Sequence, residues 1–553
     1  FCILNNMNRR DFSKFIIFFQ SMVLANNTYA EKITRENYIL INIPGAPARW
    51  LMDGVIIPST HSKAIIPEMF ANYISSYSTD FFKLKFSYKT IDSGNGIRLP
   101  LIWSQSLPSS KGRMPMLDLT QNMLVIRGCD MLSDGHQRNN KKLDMPVGSG
   151  LSLTGMLADR SRKTIPAVSL GSSYSPLNTA SGVFKSKKSD HIIVKGDTPN
   201  PFEYIRPLLI NSTEQMHASL LKKINERLHG DLSTHSYLPS KRIDSMFSFY
   251  QASLLKYKSL INEALLEDIQ GLTNRPIPGL KITDLEKLKF AETNNVKVAL
   301  GKLQHEGMIL GHKDIRNIYK FAKINSLANQ FAMLEVLIFN NLSSSIVIDI
   351  DTISNLFYEN TFELDHFHFA GEYIKLKNEA TPSAANSQKN QFSIDSHDSG
   401  LVSTAIFNTK LWLTLSTCIN EFIIGLKNKE MFSNTLIHIT SEFERIPSPD
   451  SSGSEHGFNG HTSTLISGKI KQFETLGNIR LNSDEANDFY KNIGSWGRAA
   501  PIKNLSNRSI NYGNIISTLA TILNIPSPTP HEIPLVNVKK GKVIPLIGRG
   551  ENV

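Results

Sequence analysis

Thr435 to His461, TLIHITSEFERIPSPDSSGSEHGFNGH, gathers an acid and two imidazoles behind a strand-forming run. Leu436 to Thr440 is apolar and β-branched, a composition and length that suit a strand buried on both faces of an α/β sheet. Glu442 follows at its end. The Pro-, Ser-, Asp- and Gly-rich segment after Arg445 is predicted to be a loop that ends in His456 and His461. Ligands of open α/β sheets bind beyond the carboxyl ends of the strands, so this order places the acid and the histidines where a metal or catalytic site would be. Polar residues also collect in ordinary surface loops, which is the plainer reading of the same residues.

Ser441-Glu442-Phe443-Glu444-Arg445-Ile446-Pro447, Glu455-His456-Gly457, His461 and Leu465-Ile466-Ser467-Gly468 together resemble the C-terminal signature of an exported bacterial family, domain of unknown function 1501. That signature runs T-E-F-G-R-T-P, then D-H-G, then a strand ending in Gly; this sequence has Glu444 at the usual Gly. The family is grouped with the alkaline phosphatase and sulfatase superfamily. The resemblance therefore implies a three-layer α/β/α sandwich with a mostly parallel central sheet, alkaline phosphatase-like, and a helical insertion.

Two further acid–histidine clusters stand upstream, Asp365-His366-Phe367-His368 and Asp395-Ser396-His397-Asp398. Carboxylates and imidazoles both offer lone pairs at neutral pH, and short loops can aim several at one ion. The second cluster resembles the family's D-T-H motif and is preferred over the first. On that resemblance Asp395, His397 and His461 are expected to hold a divalent metal (Zn, Mn, Ca or Fe), with Glu442 and His456 as catalytic acid/base groups or a further ligand. The superfamily's metalloenzymes also carry an acid at the end of the first strand. Here that end is Asn42-Ile43-Pro44, and Asp53 farther along is expected to be an exposed loop residue.

The elements that must position these groups are legible in part. Asn37–Ile43, Met123–Arg127, Ala167–Gly171 and Ser345–Ile350 read as core strands, and roughly 213–341 as mostly helical, with Met216, Leu220, Ile224, Met246, Phe249, Leu254, Leu255, Ile261 and Leu265 on apolar stripes. A break is predicted at Asn274–Gly279, a helix over about 402–426, and a last helix over 513–523. Cys129 reads as a small core or loop residue.

The chain has 553 residues, 41% of them hydrophobic and 20% charged, as expected of a globular chain that can bury one large core or two ordinary ones. Its net charge of +11 is spread along the chain, which argues against nucleic-acid binding while favouring anionic substrates. Its three cysteines, Cys2, Cys129 and Cys418, form no CxxC and no disulfide framework. Residues 1–30 resemble a twin-arginine export signal: Arg9-Arg10 and Phe12 precede the apolar run Phe15–Ala25, and Thr28-Tyr29-Ala30 offers a cleavage site. The expected partner is the twin-arginine machinery, the expected location periplasmic or extracellular, and no transmembrane anchor is expected in the mature chain, 31–553.

No G-x-S-x-G elbow, H-E-x-x-H helix, P-loop or G-x-G-x-x-G occurs. The leading expectation is a metal-dependent hydrolase of phosphate or sulfate esters. The alternative is a non-catalytic exported binding or assembly protein that retains the fold.

Overall fold

The computed structural model describes residues 35–54, 57–58, 73–76, 85–88, 90–93, 96–146, 150–161, 163–165, 167–171, 191–195, 200–209, 240–274, 324–350, 366–369, 372–375, 401–447, 454–457, 459–480 and 498–547. The export-like segment 1–30, Asp395 and His397 lie outside them. Of the Asp365–His368 cluster, only the backbone of a hairpin, His366–Phe369 with Glu372–Lys375, is described.

Eleven strands position the site: β1 Asn37–Asn42, β2 Met123–Asp130, β3 Ala167–Gly171, β4 His191–Lys195, β5 Ser345–Asp349, β6 Thr435–Thr440, β7 Glu444–Pro447, β8 Ser454–Gly457, β9 His461–Ser467, β10 Glu474–Leu476 and β11 Ile510–Asn511. Nine of these make one sheet in the order β4-β3-β5-β1-β6-β9-β2-β10, with β11 on β2. Every pairing is parallel except those of β9, which runs against both β6 and β2. β1, β5 and β6 are buried along their whole length, as the near-continuous apolar runs require of strands covered on both faces.

Strand alternation divides the core in two. Ile39 and Ile41 of β1 join Ile346, Ile348, Ile437 and Ile439 on one face, while Tyr38 and Leu40 join Val347, Leu436 and Leu465 on the other. Helices cover both. His136–Lys142 (α1) follows β2; Leu153–Asp159 (α2) and Tyr512–Ile522 (α6) pack on the Tyr38 face, while Ser240–Asn274 (α3), Ile324–Phe339 (α4) and Leu401–Asn428 (α5) pack on the Ile39 face. The result is the expected three-layer α/β/α sandwich with a mostly parallel central sheet.

On α3 the buried stripe is Ile243, Met246, Tyr250, Tyr257 and Ile261; Leu255, expected on the apolar face, is 68% exposed because it falls between its turns. α4 is buried all round. Its Glu335 accepts from Ser253 (2.6 Å), Lys256 (2.6 Å) and Tyr257 (2.8 Å) of α3, and Lys256 also reaches Glu421 of α5 at 3.3 Å. Three helices are thereby pinned by one ionic group under a sheet face. No helix among the described residues is long and apolar enough to cross a membrane.

Candidate functional site

β6 carries the first functional group to the sheet's carboxyl edge. Its register with β1 sets Thr440 beside Asn42, so the chain leaves the sheet there and Ser441-Glu442-Phe443 crosses the mouth of the central strand. Glu442 is wholly buried. Its Oε1 accepts the Gly45 backbone N–H (2.7 Å) from the turn after β1 and lies 2.6 Å from His136 Nδ1. Its Oε2 has no hydrogen-bond partner among the described residues. Gly45 has φ +92°, a conformation that glycine adopts without a Cβ penalty and that turns its N–H toward the carboxylate.

His136 opens α1, one turn before Asn140, and the two share a helix face. Asn140 Oδ1 accepts from Asn42 Nδ2 at 3.4 Å, which sets this face against the end of β1. The loop from β2 to α1 is held at several points: Leu132 N–H donates to Asp130 Oδ1 (2.8 Å), Asn139 Nδ2 to Ser133 O (2.6 Å), and Lys142 Nζ to Met131 O. The imidazole of His136 is therefore delivered by a loop held by its own hydrogen bonds.

His456 comes from β8. The stretch read as a loop between Arg445 and His461 is instead a hairpin, β7 with β8, in which Arg445 faces His456. Ile446 packs inward, and the paired runs are only four residues long beside a Pro-, Ser- and Asp-rich sequence, which is why local composition hid the strands. His456 Nδ1 donates to the backbone O of Asp134 (3.1 Å) and to its carboxylate. The rings of His136 and His456 stand edge to face at 4.6 Å, with Phe443 4.0 Å from His456 and 4.7 Å from His136. The structure thus unites the expected Glu442 and His456 with His136 and Asp134, which were not among the expected site residues. Asp134-Gly135-His136 lies in the short segment that leaves the carboxyl end of β2 at Asp130, so the edge rule that singled out Glu442 also points to them.

His461 is not in a loop; it is the first residue of β9 and is fully buried. Its Nε2 lies 3.1 Å from Thr440 Oγ1 and 3.2 Å from Ser463 Oγ, and its Nδ1 has no hydrogen-bond partner among the described residues. Burial, then Arg49, keeps it neutral, with its pKa well below the usual imidazole value. Among the described residues no group of three His, Cys, Asp or Glu side chains comes together to hold a metal. Those residues do not by themselves fit a metal centre.

Asp53 is not exposed. It is 1% accessible, 2.7 Å from Arg49 Nη2, and takes the Thr464 hydroxyl. Burial raises the pKa of nearby Glu444 to about 7, against the lowering pull of Thr462, Arg49 and Arg127. Arg127 is lowered to about 10 by burial, while Glu444 pulls it up; its guanidinium donates to Gly54 O and Asn478 Oδ1, each at 2.9 Å. The acid at the position where the resembled signature has Gly therefore opens the hairpin and sits in a buried ionic group.

No family model and no curated protein matches the sequence. Among solved structures, Ps i-CgsB in complex with k-i-k-neocarrahexaose is 9% identical with a TM-score of 0.25, over 89% of this chain and 77% of that one. A Vibrio parahaemolyticus protein in the alkaline phosphatase superfamily is 10% identical with a TM-score of 0.27, over 83% and 67%. The PsFucS1 sulfatase from Pseudoalteromonas sp. is 9% identical with a TM-score of 0.24, over 81% and 66%. At such scores the architecture rests on the strand order and register given above.

Proposed function

We propose that this chain is an exported hydrolase of phosphate or sulfate esters that works by acid–base catalysis with His136 and His456. The observation that carries the reading is the pairing of each imidazole, through Nδ1, with a carboxylate at the carboxyl edge of the sheet. A carboxylate on Nδ1 fixes the tautomer and makes Nε2 the basic nitrogen. His136 is 35% exposed, so its ring reaches the surface while its carboxylate stays buried. One imidazole withdraws a proton from the attacking water and the other returns a proton to the leaving oxygen, a division of labour worth about 10²- to 10⁴-fold per group.

The ester class draws its support from the resemblance of 441–468 to the family signature and from the net charge of +11, which favours anionic substrates. The expected export has the same footing in the twin-arginine-like segment. A metal joins this scheme only through Asp395 and His397, and no step above runs through one. Complete burial of His461 favours the second reading, a binding or assembly protein that keeps the fold without turnover.

The test is turnover of aryl phosphate and aryl sulfate esters by the full chain, with and without added divalent ions, beside His136→Gln. Turnover that falls at least about 100-fold in the variant supports the hydrolase. Equal rates in both proteins, or none in either, remove it in favour of the binding reading.

A further inference from the structure

The hairpin over 536–545 has two unlike faces. Val536–Lys539 (β12) and Lys542–Pro545 (β13) form a two-stranded sheet of their own, with Val538 opposite Val543, Asn537 opposite Ile544 and Lys539 opposite Lys542. Val536, Val538 and Val543 pack onto the core of the Tyr38 face. By strand alternation the other face carries Asn537, Lys539, Lys542 and Ile544. Lys539, Lys540 and Lys542 are exposed, Ile544 is 40% exposed, and Leu546, just beyond β13, is 45% exposed. Asn504 Nδ2 donates to Leu546 O (3.0 Å), which brings the loop with the exposed Lys503 and Arg508 alongside. Residues 501–511 and 533–547 contain no acid, and Glu532 is held by Asn511 and Asn514 at 3.1 and 3.2 Å.

This arrangement works against the hairpin's own stability. Two lysines directly opposite each other on one face repel. The two-residue turn between them holds Lys540 at φ +50° and Gly541 at φ +72°, a geometry that favours Asn-Gly and makes a long side chain at the first position costly. Local rules broken together on one surface are expected where the surface has a function. A partner that is negatively charged, and apolar beneath its charge, relieves the repulsion and covers the aliphatic side chains at once. A bilayer containing anionic lipid has that chemistry: its phosphates neutralise the lysines while Ile544 and Leu546 enter the acyl boundary. Nucleic acid supplies phosphates but nothing for the aliphatic side chains, and 533–547 include no aromatic ring on which a base could stack.

We propose that this face docks the protein on an anionic membrane surface, with Lys539, Lys540 and Lys542 against the headgroups and Ile544 and Leu546 below them. The Val543 N–H donates to Lys469 O at 3.0 Å, and Lys469 Nζ lies 2.8 Å from Glu36, just before β1, so the hairpin is fixed toward the amino edge of the main sheet. Docking there leaves the carboxyl edge, with His136 and Glu442, away from the bilayer. The docking surface does not depend on the ester reading above.

The test is co-sedimentation of the full chain with vesicles of mixed phosphatidylglycerol and phosphatidylcholine, beside vesicles of phosphatidylcholine alone, over a range of salt. The expected result is binding to the anionic vesicles only, weakening as salt rises. Combining Lys539→Gln, Lys540→Gln and Lys542→Gln is expected to lower the partition coefficient about 100-fold, about fivefold per lysine. Ile544→Ser with Leu546→Ser is expected to lower it about tenfold at unchanged salt dependence. Lys540→Asn alone gives the turn a residue it favours, so it is expected to raise the melting temperature while weakening vesicle binding, a combination that misfolding cannot produce. Absence of binding to anionic vesicles, equal binding to phosphatidylcholine alone, or binding that the triple lysine variant leaves intact overturns the proposal. So does a DNA duplex that binds as tightly as the anionic vesicles, which makes the patch a general polyanion site.

Discussion

His136 Nδ1 and Glu442 Oε1 are 2.6 Å apart although 306 residues separate them in the chain. The contact joins the loop after β2 to the segment after β6, two strands with only β9 between them in the sheet. The same carboxylate oxygen takes the Gly45 N–H, so the turn after β1 is held at the same point. Three chain segments therefore depend on one side chain for their arrangement at the carboxyl edge, and the two partner donors leave Glu442 little freedom to reorient.

Glu444 gives a pH signature. Its carboxyl is raised by burial from an ordinary 4.5 to about 7, so the folded chain holds its proton more tightly than the unfolded chain. That contribution to stability is fully present below about 4.5 and is lost as pH rises to about 7. Glu444→Gln removes it. The stability of the native chain relative to the variant is expected to fall by up to about 1.4 kcal/mol per pH unit across this window. Urea unfolding at several pH values measures it; a difference independent of pH contradicts the buried acid.

Gly128→Ala is expected to destabilise strongly. Gly128 has φ +82°, and a Cβ there would stand 1.9 Å from the Asn478 carbonyl oxygen, which is backbone and cannot swing away. The closeness serves Arg127, whose guanidinium bonds the Asn478 side chain. A loss of about 3 kcal/mol or more is expected in chemical denaturation. A change below about 1 kcal/mol contradicts the close approach.

The helical layer supplies an asymmetric pair. Glu335→Ala leaves the buried Ser253 and Tyr257 hydroxyls without their shared acceptor while Lys256 keeps Glu421, and about 2–4 kcal/mol of destabilisation is expected. Lys256→Ala leaves Glu335 two hydroxyl donors and removes a side chain that is 30% exposed, so its cost is expected to be smaller, about 1–2 kcal/mol. Equal costs contradict the arrangement.

The sheet was readable because its strands are buried on both faces: NYILIN, SIVID and TLIHIT carry few polar residues, and their ends coincide with Pro, Asp or Ser. Glu442 was readable by its position at such an end. The hairpin carrying His456 was not, because Pro447 and the Ser-, Asp- and Gly-rich sequence after it outweigh the four residues on each side that actually pair. Asp53 was misread as exposed because its partners, Arg49 at four residues and Thr464 on another strand, become visible only when the sheet closes. His461 was placed in a loop because the antiparallel insertion of β9 follows from tertiary pairing with β6 and β2 and from no local signal.

The most direct test of the acid–base account is a double-mutant cycle on ester turnover with Glu442→Gln, His136→Gln and the double variant. If Glu442 acts by orienting His136, each single variant loses about 100-fold or more in kcat/KM and the double variant loses little beyond the worse single one. Losses that multiply, or a Glu442→Gln variant that retains native turnover, contradict it.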